Sequence, residues 1–176
     1  MPLEPLDLAF YRRLGHLTLN GVFAPAEVDA VVHDIEAWGE SFLRELPPEK
    51  RAWYVDGGVS ARTVLRKLDN PHAHRPALQR LARDARLVSL VEAIVGPGVS
   101  VYFSQVFFKA PEGGGPKPAH QDNFYFGPTD IEGVVTAWIA LDDATLENGC
   151  LYFGEGTNLG PASSAGARAA PRAAAG

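Results

Sequence analysis

Apolar residues recur at helical spacing through the first half of the chain. Residues 6–14 predict a short helix, with Asp7 as its N-cap and Gly15 as its C-cap. A second helix is predicted to begin near Pro25, because the apolar residues after it form one stripe. A third helix is predicted over residues 76–95. The first half should therefore be mainly helical, with its apolar stripes facing a core.

The second half changes to a shorter period that is typical of strands. Its segments are rich in β-branched and aromatic residues and are separated by Gly- and Pro-rich turns. The predicted strands are residues 16–23, 99–110, 119–126 and 133–141, with a further short strand after a turn at Asn148-Gly149. Helices followed by short strands predict an α+β fold, with an antiparallel sandwich or barrel in the second half.

Composition narrows the class of protein. The 176 residues suit one domain, and a net charge of −5 argues against a nucleic-acid surface. No apolar run approaches the ~20 residues of a membrane span, and the N-terminus has no secretion-signal pattern. The single cysteine, Cys150, excludes an internal disulfide and favours a reducing cytoplasm. These features predict a cytoplasmic protein that binds neither nucleic acid nor membrane, and they leave its oligomeric state open.

The last sixteen residues have a different composition from the rest. Eight of residues 161–176 are alanine, and none is Val, Leu, Ile or aromatic. Such a segment cannot bury enough apolar surface to offset its ordering entropy. The sequence therefore predicts one domain over residues 1–160 and a disordered or loosely attached tail after it.

One short motif, His120-Gln121-Asp122, carries candidate chemistry. Side chains at positions i and i+2 of a strand point to the same face, so an imidazole and a carboxylate would enter one pocket. With a second histidine they would make the 2-His-1-carboxylate set that holds Fe(II) and leaves positions open. A hydrogen-bonded pair at a sheet edge has the same spacing. On spacing alone, both interpretations stand.

The neighbouring motifs resemble a known family. The stretches "HQDNFYF", "VVTAWIALDDATLENGCLYFGEGTNLG" and "FYRRLGHLTLNGVFAPAEVDAVVHDIE" are similar to the phytanoyl-CoA dioxygenase family of Fe(II)/2-oxoglutarate oxygenases. The resemblance covers residues 7 to about 160. It implies N-terminal helices packed on a double-stranded β-helix, or jelly roll, here incomplete. It also implies hydroxylation of a small-molecule or acyl substrate, with Fe(II), 2-oxoglutarate and optional ascorbate.

The resemblance assigns roles to five residues. His120 and Asp122 would be the first two iron ligands. Trp138, in "TAWIAL", would lie beside 2-oxoglutarate, and Lys67 and Gln105 would line the same co-substrate site. The local sequence around each of these three residues also allows a simpler interpretation. Trp138 could be an ordinary core residue, Lys67 a surface lysine, and Gln105 a residue facing solvent.

The family pattern also includes a distal histidine and a following arginine on later strands. No histidine follows His120, and Arg168 and Arg172 stand in the alanine-rich segment. We therefore expect weak iron binding and no appreciable turnover from this chain. An altered reading frame or truncated gene model after Gly160 is our hypothesis for the abrupt change. Translation of the other two frames would test it.

Two alternative functions remain open. A non-catalytic jelly-roll binding domain could keep the His120–Asp122 pair for a ligand or partner. A cupin-type metal site would need His72 and His74 to lie beside His120, although Pro71 and Pro76 favour a surface loop for "NPHAHRP".

Overall fold

A computed structural model describes residues 4–57, 63–109, 117–130 and 132–161. The described helices are α1 (Pro5–Leu14), α2 (Pro25–Glu45), α3 (Arg51–Tyr54), α4 (Pro71–His74), α5 (Pro76–Ala82), α6 (Ala85–Val95) and α7 (Asp122–Phe126), with 3-10 turns at Pro48–Lys50 and Thr157–Leu159. The described strands are β1 (Val55–Gly57), β2 (Thr63–Leu65), β3 (Lys67–Asp69) and β4 (Gln105–Phe107). The architecture is a mixture of helices and small sheets, in agreement with the α+β prediction.

The strands form two separate antiparallel ribbons. In the first, β1 pairs with β2. In the second, β3 pairs with β4, so that Lys67 lies opposite Phe107 and Asp69 lies opposite Gln105. Because side chains alternate along a strand, Lys67, Asp69, Gln105 and Phe107 share one face of this ribbon, and the residues between them share the other. The two faces have different roles in the fold.

The buried core lies on the side of the β3–β4 ribbon that carries Leu68. This leucine is 0% exposed. The core around it combines residues from α2, α5 and the strands: Val31, Ile35, Leu65, Leu68, Ala77, Leu78 and Val106. Asp34 on α2 accepts hydrogen bonds from the Arg75 guanidinium and from the Ala77 N–H (3.2 Å), which fixes α5 against α2. The apolar stripe predicted for α2 therefore faces this core.

Helix α1 begins earlier than predicted. Glu4, not Asp7, is its N-cap, and Pro5 occupies the first helical position. Proline is favoured there because its fixed φ suits the helix and its missing N–H is not needed. Asp7 instead accepts a hydrogen bond from the Glu4 N–H at 3.0 Å. Gly15 ends the helix with φ +84°, which confirms the predicted C-cap.

The predicted third helix is two helices. The break falls at Asp84, which caps α6 by accepting a hydrogen bond from the Arg86 N–H at 2.9 Å. The Arg86 guanidinium also binds the Asp84 carboxylate and reaches Glu27 on α2. These hydrogen bonds from Arg86 hold the pKa of the Asp84 carboxyl at about 2. An apolar stripe that continued across residues 83 and 84 concealed this local capping signal.

Several predicted strands are wrong in the described parts of the chain. Residues 16–23 and 133–141 have no regular strand, and neither does the segment after Asn148-Gly149. A strand needs a hydrogen-bonded neighbour for its N–H and C=O groups, and these segments have none among the described residues. A complete double-stranded β-helix is accordingly not seen in this part of the chain.

The two other predicted strands are shorter or different. Of residues 99–109, the described part of this prediction, only β4 is a strand, because only that part pairs with β3. Residues 119–126 contain the short helix α7 rather than a strand. Residues 162–176 lie outside the described residues, so the predicted tail after residue 160 stays a prediction. None of the described helices has the length and apolarity required to cross a membrane.

Candidate metal and co-substrate site

His120 and Asp122 face each other, although they do not lie on a strand. Gln121 between them is extended (φ −112°, ψ 133°), so the His120 side chain and that of Asp122, the first residue of α7, point to the same side. The His120 Nε2 and Asp122 Oδ1 atoms are 3.5 Å apart, with the two side chains 31% and 39% exposed. The extended backbone of one residue thus gives the arrangement that a strand was predicted to give.

The distance between these two atoms suits two ligands of one metal ion. Metal–nitrogen and metal–oxygen bonds of about 2.1 Å at right angles put the two donor atoms about 3 Å apart. His120 Nδ1 lies 2.8 Å from the Pro118 carbonyl oxygen. A carbonyl only accepts, so Nδ1 carries a proton and Nε2 is the nitrogen that would bind a metal ion. The Tyr125 ring lies edge-on to the imidazole, 5.5 Å away.

A hydrogen bond holds Oδ2, the oxygen of the Asp122 carboxylate that does not face His120. Thr136 Oγ1 donates a hydrogen bond to Asp122 Oδ2 at 2.6 Å. Oδ1 is thereby left towards His120, so the residues present fit a divalent metal ion with two protein ligands. Thr136 was not among the site residues predicted from the sequence. Its signal was its place two residues before Trp138 in "VVTAWIAL".

Replacing Thr136 with valine is expected to weaken Fe(II) binding roughly tenfold, because ligand-orienting hydrogen bonds typically contribute that much to metal affinity. Valine keeps the side-chain shape and removes the hydroxyl donor to Asp122. The affinity can be measured by anaerobic competition with a coloured chelator. Thr145→Val, which removes a hydroxyl from an exposed turn, is the matched control. Equal affinities in the two variants would contradict the role of Thr136.

A second polar cluster lies on the β3–β4 ribbon, on the face away from Leu68. Lys67 is only 7% exposed, so its reading as a surface lysine is wrong. Its Nζ atom donates to Asp69 Oδ2 at 3.2 Å and lies 3.9 Å from the centroid of the Trp53 ring. Gln105 Nε2 donates to Asp69 Oδ1 at 2.6 Å rather than simply facing solvent. The two predicted co-substrate residues, Lys67 and Gln105, therefore meet at one carboxylate.

Asp69 is ionised in this cluster. Burial alone raises the pKa of its carboxyl, but hydrogen bonds from Gln105, Lys67 and Trp53 outweigh burial and bring the pKa below its ordinary value. The pKa of the neighbouring Tyr54 is raised, first by burial and then by the negative charge of Asp69. The cluster thus consists of one lysine cation and one aspartate anion beside aromatic rings.

The segment that carries His120 lies against the strand segment that carries Gln105. The Lys117 Nζ atom is 5.1 Å from the centroid of the Phe107 ring at the end of β4. The Phe126 ring at the end of α7 meets the rings of Tyr102 and Phe103 at 5.8 and 6.1 Å. Both ends of the 117–126 segment therefore contact residues 102–107.

The model of one family matches nearly the whole chain. This is the family described as phytanoyl-CoA dioxygenase (PhyH), and the match covers residues 11–175. The chain belongs to the phytanoyl-CoA dioxygenase family. The match runs past Gly160, where the recognised motifs stop, and the domain boundary predicted there stays a prediction.

Curated relatives agree with this membership. Phytanoyl-CoA dioxygenase domain-containing protein 1 of Danio rerio is 30% identical over an alignment of 191 positions, which covers 89% of this chain and 66% of that protein. A probable alpha-ketoglutarate-dependent hypophosphite dioxygenase of Stutzerimonas stutzeri is 24% identical over 150 residues, with 85% and 52% coverage. The peroxisomal phytanoyl-CoA dioxygenase of Bos taurus is 24% identical over 163 residues, with 86% and 47% coverage. The chain spans about half to two thirds of the length of these three relatives.

Trp138, the remaining residue suggested by the family resemblance, is 51% exposed. Its reading as plain core is therefore wrong. It follows Thr136 by two residues, in a segment without regular secondary structure. Its place beside the co-substrate stays a prediction.

His72 and His74 have structural partners of their own. They lie in the short helix α4 rather than in a loop. His72 Nδ1 is 2.6 Å from Ser104 Oγ, and the His74 ring lies 5.6 Å from the Trp38 ring. Across the described ranges, no group of three or more His, Cys, Asp or Glu side chains is placed to hold a metal ion. The described structure thus does not form the cupin-type site of His72, His74 and His120.

Proposed function

We propose that this family member is an Fe(II)/2-oxoglutarate-dependent dioxygenase-type protein in which His120 and Asp122 hold the iron. One observation carries the proposal. His120 Nε2 and Asp122 Oδ1 face each other at 3.5 Å, while the Pro118 carbonyl and the Thr136 hydroxyl fix their outer atoms. An imidazole and a carboxylate whose outer atoms are held by hydrogen bonds are a common pair of ligands for a divalent metal ion in proteins.

The co-substrate residues of the proposal are Lys67, Gln105 and Trp138. The Lys67 ammonium and the Gln105 amide already share one carboxylate, that of Asp69, so they are suited to binding a carboxylate of 2-oxoglutarate. Trp138 would cover the co-substrate with its exposed ring. The iron, when bound with 2-oxoglutarate and dioxygen, would supply the oxidising chemistry for hydroxylating a C–H bond.

The substrate in this proposal is a small molecule or an acyl compound. The names of two relatives, a probable hypophosphite dioxygenase and a peroxisomal phytanoyl-CoA dioxygenase, belong to very different chemistries. Family membership therefore supports the reaction class and not one substrate. A cytoplasmic location also stays a prediction, supported by composition.

We further propose that this chain binds iron weakly. Its sequence has no histidine after His120 to act as a second imidazole ligand. Two protein ligands and their supporting hydrogen bonds give a metal site with several positions left to water. We therefore propose binding of Fe(II) and 2-oxoglutarate without appreciable turnover, with or without ascorbate.

Anaerobic calorimetric titration with Fe(II), alone and with 2-oxoglutarate, tests this function. The expected result is weak Fe(II) binding that is lost in His120→Ala and kept in His33→Ala, a variant of an exposed histidine on α2. Consumption of 2-oxoglutarate in air should stay at background. Unchanged Fe(II) binding in His120→Ala would refute the iron site. Consumption that depends on Asp122 would refute the predicted inactivity.

A non-catalytic binding domain is the second candidate, and the two-ligand metal site is the observation that favours it. In that case the chain would bind a ligand or partner through the same face without needing iron. The titration above separates the two functions. Binding of 2-oxoglutarate that responds neither to Fe(II) nor to His120→Ala would favour the binding domain.

A further inference from the structure

The carboxylate of Asp69 stands where a ligand carboxylate would meet Lys67 and Gln105. We propose that Asp69 occupies this carboxylate-binding position in the ligand-free chain, and that 2-oxoglutarate binds by displacing it. The inference rests on the proposed function, since it takes Lys67 and Gln105 as co-substrate residues. It adds a positioning residue that regulates access to them.

Both oxygens of Asp69 accept hydrogen bonds. Oδ1 accepts a hydrogen bond from Gln105 Nε2 at 2.6 Å, while Oδ2 accepts hydrogen bonds from Lys67 Nζ at 3.2 Å and from Trp53 Nε1 at 3.4 Å. An ammonium, an amide and an indole thus converge on one planar anion. This is a donor set of the kind that binds the carboxylate of an organic acid.

Lys67 has little room for a second anion. Its Nζ atom lies 3.9 Å from the Trp53 ring centroid and 5.5 Å from the Tyr54 ring centroid, and the residue is buried. Trp53, in contrast, is exposed and forms the outer wall of the cluster. A ligand carboxylate can therefore reach Lys67 from the Trp53 side once the Asp69 carboxylate has turned away.

Charge decides what the displacement requires. One lysine cation cannot favourably hold two carboxylates in a half-buried site, since like charges at contact distance repel. A ligand that contacts only Lys67 gains no more free energy than is lost when Asp69 leaves Lys67. A dicarboxylate whose second carboxylate is bound elsewhere gains additional free energy from that second contact. Asp69 should thus favour 2-oxoglutarate over monocarboxylates.

The alternative is that Asp69 only supports Lys67, as the charge partner of a buried lysine. The two roles predict opposite changes on neutralising Asp69. If Asp69 competes with the ligand, Asp69→Asn should tighten ligand binding. If Asp69 only supports Lys67, Asp69→Asn should displace the Lys67 side chain and weaken ligand binding.

Anaerobic calorimetric titration with 2-oxoglutarate and with succinate, at constant Fe(II), measures this change. Asp69→Asn is expected to bind both anions roughly tenfold more tightly, because the ligand no longer competes with a charge-assisted hydrogen bond. Asp56→Asn is the matched control, since Asp56 lies on the neighbouring β1–β2 ribbon and pairs with Arg66 instead of with Lys67. Unchanged or weaker binding in Asp69→Asn would overturn the displacement.

The unsubstituted chain offers a second measurement, in case Asp69→Asn does not fold. The indole ¹H–¹⁵N resonance of Trp53, assigned with Trp53→Phe, reports the hydrogen bond from Trp53 to Asp69. It should move when 2-oxoglutarate is added, because the displaced Asp69 leaves the indole. Binding by calorimetry with no movement of this resonance would also overturn the displacement.

Lys67→Met separates failure of this inference from failure of the proposed function. If Lys67→Met leaves 2-oxoglutarate binding intact, the proposed co-substrate site is wrong and the inference fails with it. If Lys67→Met abolishes binding but Asp69→Asn does not tighten it, the co-substrate site stands. Only the displacement of Asp69 is then wrong.

Discussion

Replacing Leu68 with alanine is expected to lower the free energy of unfolding by about 3 kcal/mol, the typical loss for a buried leucine whose site cannot collapse. Leu68 is 0% exposed and lies in the core with Val31 and Ile35 of α2. Urea denaturation followed by circular dichroism measures the change. No other single truncation in the described core removes a more buried large side chain.

The matched control for this prediction is Leu146→Ala. Leu146 is 69% exposed, so the same truncation should change the free energy of unfolding by no more than ~0.5 kcal/mol. Similar losses in both variants would contradict the placement of β3 in the core. That placement matters for function because Leu68 lies between Lys67 and Asp69. Their position on the opposite face depends on its burial.

Replacing Lys67 with methionine is expected to weaken 2-oxoglutarate binding by at least about thirtyfold, because removing one partner of a buried charge contact costs 2 kcal/mol or more. Methionine keeps most of the aliphatic stem beside Trp53 and removes the ammonium. Lys117→Met is the matched control, because Lys117 also lies near an aromatic ring but is exposed. Affinity is measured by calorimetry at constant Fe(II).

The outcome that would contradict this prediction is equal affinity in Lys67→Met and Lys117→Met. Lys67 would then serve only to neutralise Asp69 within the fold. Thermal unfolding of both variants separates this case, since a structural role would lower the melting temperature of Lys67→Met without a specific loss of ligand.

Helix α2 could be predicted from the sequence because its signals are local. Pro25 at the first helical position, Glu27 in the first turn and one apolar stripe all act within a few residues of each other. Gly15 was predictable for the same reason, since only its own backbone conformation is involved. Asp7 was misplaced by a few residues because two acids compete for one helix start.

The strands could not be predicted with the same success. Residues 133–141 have the apolar and β-branched composition of a strand, yet a strand forms only where another chain segment pairs with it. β4 forms because β3, nearly forty residues earlier, lies alongside it. Such pairing depends on the whole fold and leaves little trace in local composition.

The candidate site shows the same difference between local signals, which could be predicted, and long-range contacts, which could not. His120 and Asp122 were found from a two-residue spacing and the family resemblance, and one extended residue is enough to bring them together. Thr136 was missed because its contact with Asp122 crosses 14 residues of sequence. Asp69 was missed because its contact with Gln105 crosses 36 residues, although Lys67, its other partner, is only two residues away. The polar face of the β3–β4 ribbon was predictable only in part. Lys67 and Gln105 were predicted as site residues, but Asp69, whose carboxylate joins them, was not.

Paramagnetic broadening of amide NMR signals by Fe(II), under anaerobic conditions, tests the central claim most directly. Bound at His120 and Asp122, the metal should broaden the signals of residues 120–123 and of Thr136 first, and Asp122→Asn should abolish this broadening. Broadening centred instead on α4, around His72 and His74, and unchanged in Asp122→Asn, would contradict the proposed metal site.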